Sequence, residues 1–247
     1  MDPRAPLLLE GALSLSTKYE VQGVRSLIAN HLQSAWPQTY RDCQAQLRKL
    51  GQLRTELIGN PERPFFDDQT PEPASAIRIA RLYDLPGILP AAYYYLYTHY
   101  HTKNDWHIRR ADADFLFLRY GGKTVRTDLL CDADFRCLVL LQEKFGSALQ
   151  EIEDEVAGAH DSIMQSCRMD EMCQDAWDNV VEKLRELIGK YPIGTNPGPL
   201  EYTVGLGHGY DDTFCQQCRW VVRQTMDEQS EKIWNAILEC LPSTVPH

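Results

Sequence analysis

Apolar residues in the N-terminal part of the chain recur at the three- and four-residue intervals of amphipathic helices, and the pattern occurs twice. Residues 12–32 align with residues 76–96 without a gap, and aromatic, acidic, aliphatic and glycine residues keep equivalent places in both. Each copy reads as a helix, a tight turn and a second helix, so the pattern predicts a repeated helical hairpin. The equivalent pairs at the turn are Tyr19 and Tyr83, Glu20 and Asp84, and Val21 and Leu85.

The first copy also predicts how it packs. Two such hairpins side by side can bury faces that neither buries alone. We therefore expect Leu15 and Tyr19 of its first helix, with Val24 and Ile28 of its second, to be buried against a neighbouring helix pair. The face of the first helix consists of four residues at 4-3-4 spacing: Leu8, Ala12, Leu15 and Tyr19.

Longer helices are predicted from about Thr127 onward, after a further helix in residues 43–58. Their apolar faces are Leu138, Leu141, Phe145, Ile152 and Val156; Trp177, Val180, Val181, Leu184, Leu187 and Ile188; and Phe214, Cys218, Val221, Thr225, Ile233 and Trp234. The last helix is expected to begin near Asp211. Since no stretch alternates strictly enough for a strand, the sequence predicts an all-α fold of repeated helical hairpins followed by a bundle of longer helices.

Composition limits the class of protein. The chain has 247 residues, a net charge of −10 and 43% hydrophobic residues. The acidity argues against nucleic acid as the main partner, because phosphate binding needs a basic surface. No stretch approaches the ~20 apolar residues of a membrane helix, and no signal-peptide core is present. We therefore expect an intracellular protein, cytoplasmic or nuclear, with no membrane partner and with its eight cysteines reduced.

Six of the cysteines fall into three pairs, and their spacing raises the question of a zinc site. Structural zinc sites use four Cys or His ligands, commonly in closely spaced pairs on turns. Only the last pair is tightly spaced, and two sulfurs six residues apart on one helix diverge by about 120°, so the wider pairs could be ligands only if each brackets a loop. Free thiols, with no metal and no cofactor, are our expectation; a zinc-stabilised helical regulatory domain is the alternative. The candidate ligands are Cys131 and Cys137, Cys167 and Cys173, Cys215 and Cys218, and His208.

No stretch carries a catalytic constellation. A Gly-x-Ser-x-Gly elbow is absent, and no spacing marks a Cys-His couple. The Gly-Gly-Lys-Thr of residues 121–124 resembles the end of a phosphate-binding loop, but Phe117 stands where that loop needs glycine. The tyrosines of residues 93–100 point in different directions on a helix, so we expect partly buried packing with hydrated hydroxyls. His99 is expected at the surface or in a cap, and no enzyme and no catalytic residue are expected.

Several of these motifs resemble a large group of fungal, basidiomycete-type BTB/POZ-domain proteins. Residues 12–25, followed by Trp36 and Pro37, look like the last helices of the BTB domain. Residues 76–96 resemble the BACK-like helical hairpin of the tail that follows it, and the wider cysteine pairs resemble the scattered cysteines of that tail. The closing signature of the tail is matched by Phe214, Cys215, Cys218, Trp234, Leu241 and Pro242.

The resemblance implies a non-enzymatic adaptor for protein binding, serving ubiquitin-ligase or transcriptional complexes, with a BTB protein or a cullin-type scaffold as its partner. It implies two domains: residues 1–110 with the BTB end and the BACK-like hairpins, and residues 111–247 with the Cys-x-x-Cys helix. The strands and early helices of a BTB core would lie before Met1, so we expect a member that lacks most of that core. The resemblance supplies no catalytic residue.

Overall fold

The computed structural model describes residues 5–58, 60, 62–100, 104–107, 115–164, 167, 170–187, 198–200, 203, 205 and 213–241. Within these residues the chain is helical, with one isolated β-bridge and no strand, which confirms the all-α prediction. The α-helices are α1 (Ala5–Lys18), α2 (Gln22–Gln33), α3 (Tyr40–Leu57), α4 (Pro73–Leu82), α5 (Leu89–His99), α6 (Phe115–Arg119), α7 (Asp132–Met164), α8 (Asp170–Leu187) and α9 (Gln216–Cys240). None of the helices in this part of the chain combines the length and apolar character needed to cross a membrane.

The folded chain divides into two compact units. The first extends to Leu138 and includes Leu241, and the second spans Val139–Cys240. The first unit therefore holds α1 to α6 with the start of α7, and the second holds the rest of α7 with α8 and α9. The predicted domains, 1–110 and 111–247, stay a prediction, because compactness alone does not show which segment folds by itself.

The two predicted hairpins, α1–α2 and α4–α5, share the same backbone turn. The acidic residue at each turn takes the left-handed conformation, with a φ of 55° at Glu20 and of 54° at Asp84. In each copy the next residue donates its N–H back across the turn, as at a Schellman helix ending. Backbone geometry thus confirms the repeat read from the side-chain pattern. The two bonds are Val21 N to Ser16 O and Leu85 N to Ala80 O, both 2.8 Å.

The first hairpin packs on the second through α1 and α4. Tyr83 Oη donates to the carbonyl oxygen of Glu10 at 3.2 Å, and Arg78 forms an ion pair with the Glu10 carboxylate at 2.7 Å. Arg25 of α2 donates to the carbonyl oxygen of Tyr83 at 3.1 Å. Polar contacts therefore fix the register of one hairpin on the other. The buried residues of α1 and α2 are Pro6, Leu13, Ser16, Ile28 and Leu32.

The packing predicted for the first hairpin is largely wrong. Leu15 and Tyr19 are 58% and 66% exposed and Val24 is 44% exposed, whereas Ile28 is buried as predicted. In the second hairpin Ile79, the equivalent of Leu15, is fully buried. Helical periodicity shows which residues share a face, but it does not show whether a neighbour covers that face. The α1 helix covers the second hairpin with one side and presents its predicted apolar face outward.

The second hairpin forms the centre of the first unit. Every residue of α5 is buried, so its four tyrosines are core residues and the prediction of hydrated hydroxyls is wrong for them, whereas Tyr100 after the helix is half-buried. Tyr93 Oη donates to Asp134 Oδ1 at 2.7 Å, and Asp134 also pairs with Arg81 at 2.9 Å. His99 is buried rather than at the surface, and its ring stacks on Tyr95. Burial holds the pKa of His99 well below its ordinary value.

A buried carboxylate starts α4. Glu72 accepts hydrogen bonds from the backbone N–H groups of Ala74 at 3.0 Å and Ser75 at 2.8 Å, as an N-cap does. It also accepts from the backbone N–H of Arg126 at 3.0 Å, more than fifty residues further along the chain. Burial raises the pKa of Glu72 above its ordinary value. One side chain thus satisfies three backbone donors and joins α4 to the segment before α7.

The predicted apolar faces of α7 and α8 are confirmed wherever the structure describes them, whereas that of α9 is only partly right, because Val222 and Met226 are buried there in place of Val221 and Thr225. Apolar side chains of α7, α8 and α9 form the core of the second unit. The last helix, α9, begins at Gln216, five residues after the predicted start near Asp211. The Leu187 and Ile188 side chains and Asp211 lie outside the described residues, and Val221 and Thr225 are half-buried. The buried residues are Leu141, Phe145, Ile152 and Val156 of α7; Trp177, Val180, Val181 and Leu184 of α8; and Cys218, Ile233 and Trp234 of α9.

Candidate functional site

Four cysteines of the second unit converge on one point, and we call them the four-cysteine cluster: Cys167, Cys173, Cys215 and Cys218. Cys167 lies between α7 and α8, and Cys173 lies in the first turn of α8. Cys215 directly precedes α9, and Cys218 lies in the first turn of that helix. The four Sγ atoms all lie within 4.8 Å of one another. Cys173 and Cys218 are buried, while Cys167 and Cys215 are half-buried.

Backbone N–H groups at the helix starts favour negative charge on these sulfurs. The N–H of Cys215 donates to Cys173 Sγ at 3.3 Å. The backbone N–H of Cys218 is the main cause that lowers the pKa of Cys215 to about 7, with the neighbouring thiols as further donors. Burial raises the pKa of Cys173 and of Cys218. A thiolate therefore forms first at Cys215, on the accessible side of the cluster.

Two aromatic rings hold the helix starts beside the cluster. Trp177 lies one helical turn after Cys173, and Phe214 immediately precedes Cys215. Their rings meet edge to face, with centroids 6.4 Å apart and planes at 73°. Both side chains are buried. The positions of the cysteines are therefore set by packing of the apolar core as well as by their own contacts.

Of the seven candidate ligands proposed from the sequence, the structure brings four together. Cys131 lies in the first unit, is exposed, and accepts a hydrogen bond from Arg81 at 2.7 Å. Cys137 is buried on α7 in the same unit. His208 lies outside the described residues. Neither Cys131 nor Cys137 belongs to the four-cysteine cluster.

The condition that the sequence sets for Cys167 and Cys173 is met in the folded chain. Their sulfurs would diverge if both lay on one helix, so the pair can supply ligands only if it does not. Cys167 lies before α8 and only Cys173 lies within it, so the two sulfurs can converge. The shared feature that could have revealed the cluster is position: Cys173 and Cys218 both occupy the first turn of a helix. Four thiols so arranged can bind a soft metal ion or be oxidised in pairs.

A second feature lies in the first unit, on the outward side of α1. We call it the apolar stripe and define it as Leu8, Ala12, Leu15 and Tyr19. Leu8 is 67% exposed, in addition to the exposed Leu15 and Tyr19. Leu27 of the adjoining α2 is exposed as well, at 71%. Exposed apolar residues are ordinary when scattered, but a row of them along one helix face marks a surface that another molecule can cover.

Polar groups elsewhere in the first unit are used in folding. The segment that resembled a phosphate-binding loop is packed into the core, with Lys123 buried 5.7 Å from the centre of the Phe66 ring. Thr124 Oγ1 donates to Asp67 Oδ2 at 2.6 Å. A groove of about 700 Å³ runs beside α3, where Thr39 is occupied in capping the helix. The Thr124 hydroxyl and the Asp67 carboxylate are both buried, so this pair serves the packing of the core.

Comparisons with protein-family models, with curated proteins and with solved structures find no match to this chain. The resemblance to BTB/POZ proteins therefore stays a prediction. The folded chain provides two features that bear on function, the apolar stripe and the four-cysteine cluster.

Proposed function

We propose that this protein is a non-enzymatic interaction module that binds a helical hairpin of another protein through the apolar stripe of α1. One observation carries the proposal: α1 presents to solvent the positions that the repeated hairpin buries. Leu15 and Tyr19 are mostly exposed, whereas their equivalents Ile79 and Tyr83 are buried and half-buried. The two hairpins share the same backbone turn. The exposed face of the first hairpin can therefore pack against a further hairpin, as the equivalent face of the second hairpin packs against the first.

The way that the hairpins stack defines the chemistry of the partner. Tyr83, which directly follows α4, contacts Glu10 of α1, so the face of the second hairpin is covered by the first. A further hairpin can cover the apolar stripe in the same manner, as in repeat proteins that stack helical pairs. Beside the stripe, the positive charge of Lys18 is followed by the negative charge of Glu20. The partner surface is therefore an apolar helical face with little net charge.

The apolar stripe can supply useful binding energy. Full burial of a Leu or an aromatic side chain contributes roughly 1.5–3 kcal/mol. Covering Leu8, Leu15 and Tyr19 therefore contributes about 5 kcal/mol before the entropic costs of association. That amount does not make a stable complex alone, so further contacts from the partner are required. A reversible adaptor contact of this kind fits the resemblance-based expectation of a BTB protein or a cullin-type scaffold as partner.

Support for a non-catalytic role comes from the way that buried polar groups are used. Glu72 caps α4, and Asp134 joins Tyr93 to Arg81. Asp67 holds Thr124 in the core. Among the described residues of the first unit, these are the buried carboxylates that a general acid or base mechanism would draw on, and each is occupied by structural hydrogen bonds.

The test compares two matched double variants of the full chain. Leu15→Ser with Tyr19→Ser disrupts the apolar stripe, and Leu82→Ser with Tyr120→Ser changes one Leu and one Tyr that are also more than half exposed in the same unit. Binding to a purified cullin-type scaffold and to a purified BTB protein is measured by isothermal titration calorimetry. Self-association is measured by sedimentation equilibrium.

We expect at least one of these two partners to bind the wild type and the control pair equally, and self-association without binding to either would contradict the proposal. The stripe variant should bind about 100-fold more weakly, since about 3 kcal/mol of burial is lost. Equal binding by the stripe variant would contradict the proposal. So would the absence of any association at protein concentrations of about 100 μM, an affinity weaker than about −5.5 kcal/mol.

A further inference from the structure

We infer that the four-cysteine cluster is a structural zinc site that ties the start of α9 to the start of α8. The inference does not depend on the interaction role of α1, because the cluster and the apolar stripe belong to different units of the chain. It concerns how the second unit is held together. Its basis is the convergence of four thiols on one point.

The distances fit a single ion. Zinc–thiolate bonds of about 2.3 Å in a tetrahedron place neighbouring sulfurs about 3.8 Å apart. Cys167 Sγ and Cys215 Sγ are 3.9 Å apart, and all pairs in the cluster lie within 4.8 Å. Small side-chain rotations therefore suffice to complete a tetrahedron. Two separate disulfides would instead draw the sulfurs together in pairs, at about 2.05 Å within each pair.

The placement of the ligands suits the charge of a zinc tetrathiolate. Four thiolates and one Zn²⁺ leave a net charge of −2, which needs stabilisation by nearby donors. The cluster lies where α8 and α9 begin, and helix starts carry partial positive charge and unpaired N–H groups. The N–H of Cys215 already points at Cys173 Sγ. The protein thus provides the hydrogen bonds to sulfur that orient and stabilise metal-bound thiolates.

The ligand set suits zinc and a structural role. Four soft thiolates in a tetrahedron are typical of Zn²⁺, and carboxylate-preferring ions such as Mg²⁺ and Ca²⁺ do not suit such a site. In an iron–sulfur cluster with several irons, the cysteine thiolates bind different iron atoms. Their sulfur atoms are therefore further apart than the sulfur atoms of the four-cysteine cluster. A site with four protein ligands also leaves no open position for a substrate. The ion therefore stabilises the fold.

Zinc binding also fixes the proton balance. When Zn²⁺ binds four thiols, the zinc tetrathiolate forms and four protons are released, with no change of oxidation state. Each thiol that is already ionised reduces the number of released protons by one. The half-buried Cys167 and Cys215 offer the way in for the ion, and the buried Cys173 and Cys218 close the far side. Since the ligands come from segments 42 or more residues apart, the bound ion also closes long loops.

The first experiment uses the wild-type full chain, purified under reducing conditions and dialysed against zinc-free buffer. Zinc content is measured by plasma mass spectrometry, and a Co²⁺-exchanged sample is examined by absorption spectroscopy. We expect about one zinc per chain. We also expect the charge-transfer and ligand-field bands of a tetrahedral cobalt tetrathiolate. Removal of the ion by a chelator should lower the unfolding temperature by about 10 °C.

Matched variants assign the ligands. Cys215→Ser and Cys167→Ser change the half-buried ligands, where a serine is most easily tolerated, and should abolish retained zinc. Cys240→Ser changes a buried cysteine of the same unit outside the cluster, and Cys131→Ser changes an exposed one. Both controls should keep one zinc per chain. Circular dichroism of each variant shows whether lost zinc reflects a lost ligand or a lost fold.

Several outcomes would overturn the inference. One is wild-type protein that retains well under one zinc per chain after dialysis and unfolds at the same temperature with and without chelator. Another is zinc retention by Cys215→Ser equal to that of Cys240→Ser. A third is an intact mass four hydrogens below the reduced value in protein purified without reductant, together with no bound metal, which would show two disulfides. A tetrathiolate cobalt spectrum that is lost only in the cluster variants sustains it.

Discussion

Replacement of Glu72 by alanine should be one of the most destabilising changes in the first unit. The substitution removes the acceptor of three backbone N–H groups, those of Ala74, Ser75 and Arg126. Loss of the N-cap of α4 costs about 1 kcal/mol. The Arg126 N–H, left without its partner in a half-buried position, costs about 1–3 kcal/mol. The change also returns the desolvation cost of a buried carboxylate, which offsets part of this, so we expect a net loss of about 2 kcal/mol.

The assay is urea unfolding of the full chain followed by circular dichroism, with Glu72→Gln and Glu62→Ala as comparisons. Gln keeps one side-chain oxygen as acceptor, so it should lose about half as much stability, and the exposed Glu62 should lose less than about 0.5 kcal/mol. The pKa of Glu72 is raised above its ordinary 4.5 in the folded protein. The stability of the wild type relative to Glu72→Gln should therefore decrease as the pH rises above about 4.5. A loss below 1 kcal/mol for Glu72→Ala would refute the reasoning.

Three further predictions concern the first unit. Burial holds the pKa of His99 well below its ordinary 6.5, so only the unfolded chain takes up a proton at this residue. The free energy of unfolding should therefore fall by up to about 1.4 kcal/mol per pH unit below about pH 6.5. An equally steep fall in His99→Gln would contradict this. Glu20→Gly and Asp84→Gly should each stabilise the chain by about 0.5–1 kcal/mol in urea titrations, because glycine relieves a left-handed backbone; a loss of stability would exclude strain there. Tyr93→Phe removes the hydrogen bond to the fully buried Asp134 and should cost about 1.5–3 kcal/mol by thermal unfolding, whereas an unchanged midpoint would show that Asp134 finds another donor.

The repeat shows how far local pattern predicts structure. Residues 12–32 and 76–96 were predicted as hairpins from side-chain periodicity, and both form, down to the same left-handed turn at Glu20 and Asp84. The outward direction of Leu15 could not be predicted, because periodicity gives a face and not the neighbour that covers it. The same limit applies to His99. A polar flanking sequence predicted the surface, yet α5 is enclosed on every side.

The four-cysteine cluster shows what local pattern does not predict. Each pair alone was a weak signal, since one pair spans six residues and the other sits at a helix start. Their meeting depends on how α8 and α9 pack, and that is decided in part by the contact between Trp177 and Phe214. Glu72 is a further residue that the sequence did not mark. Glutamate is not among the preferred N-caps, and its bond to Arg126 joins segments far apart in the chain.

By itself, the sequence determined the helical elements, most of their apolar faces and the repeated hairpin, because these follow from contacts between residues three or four apart. Only the tertiary structure decided which copy of the hairpin is covered, which carboxylates are buried, and which cysteines meet. Those outcomes depend on contacts between segments tens of residues apart, and no local period encodes them.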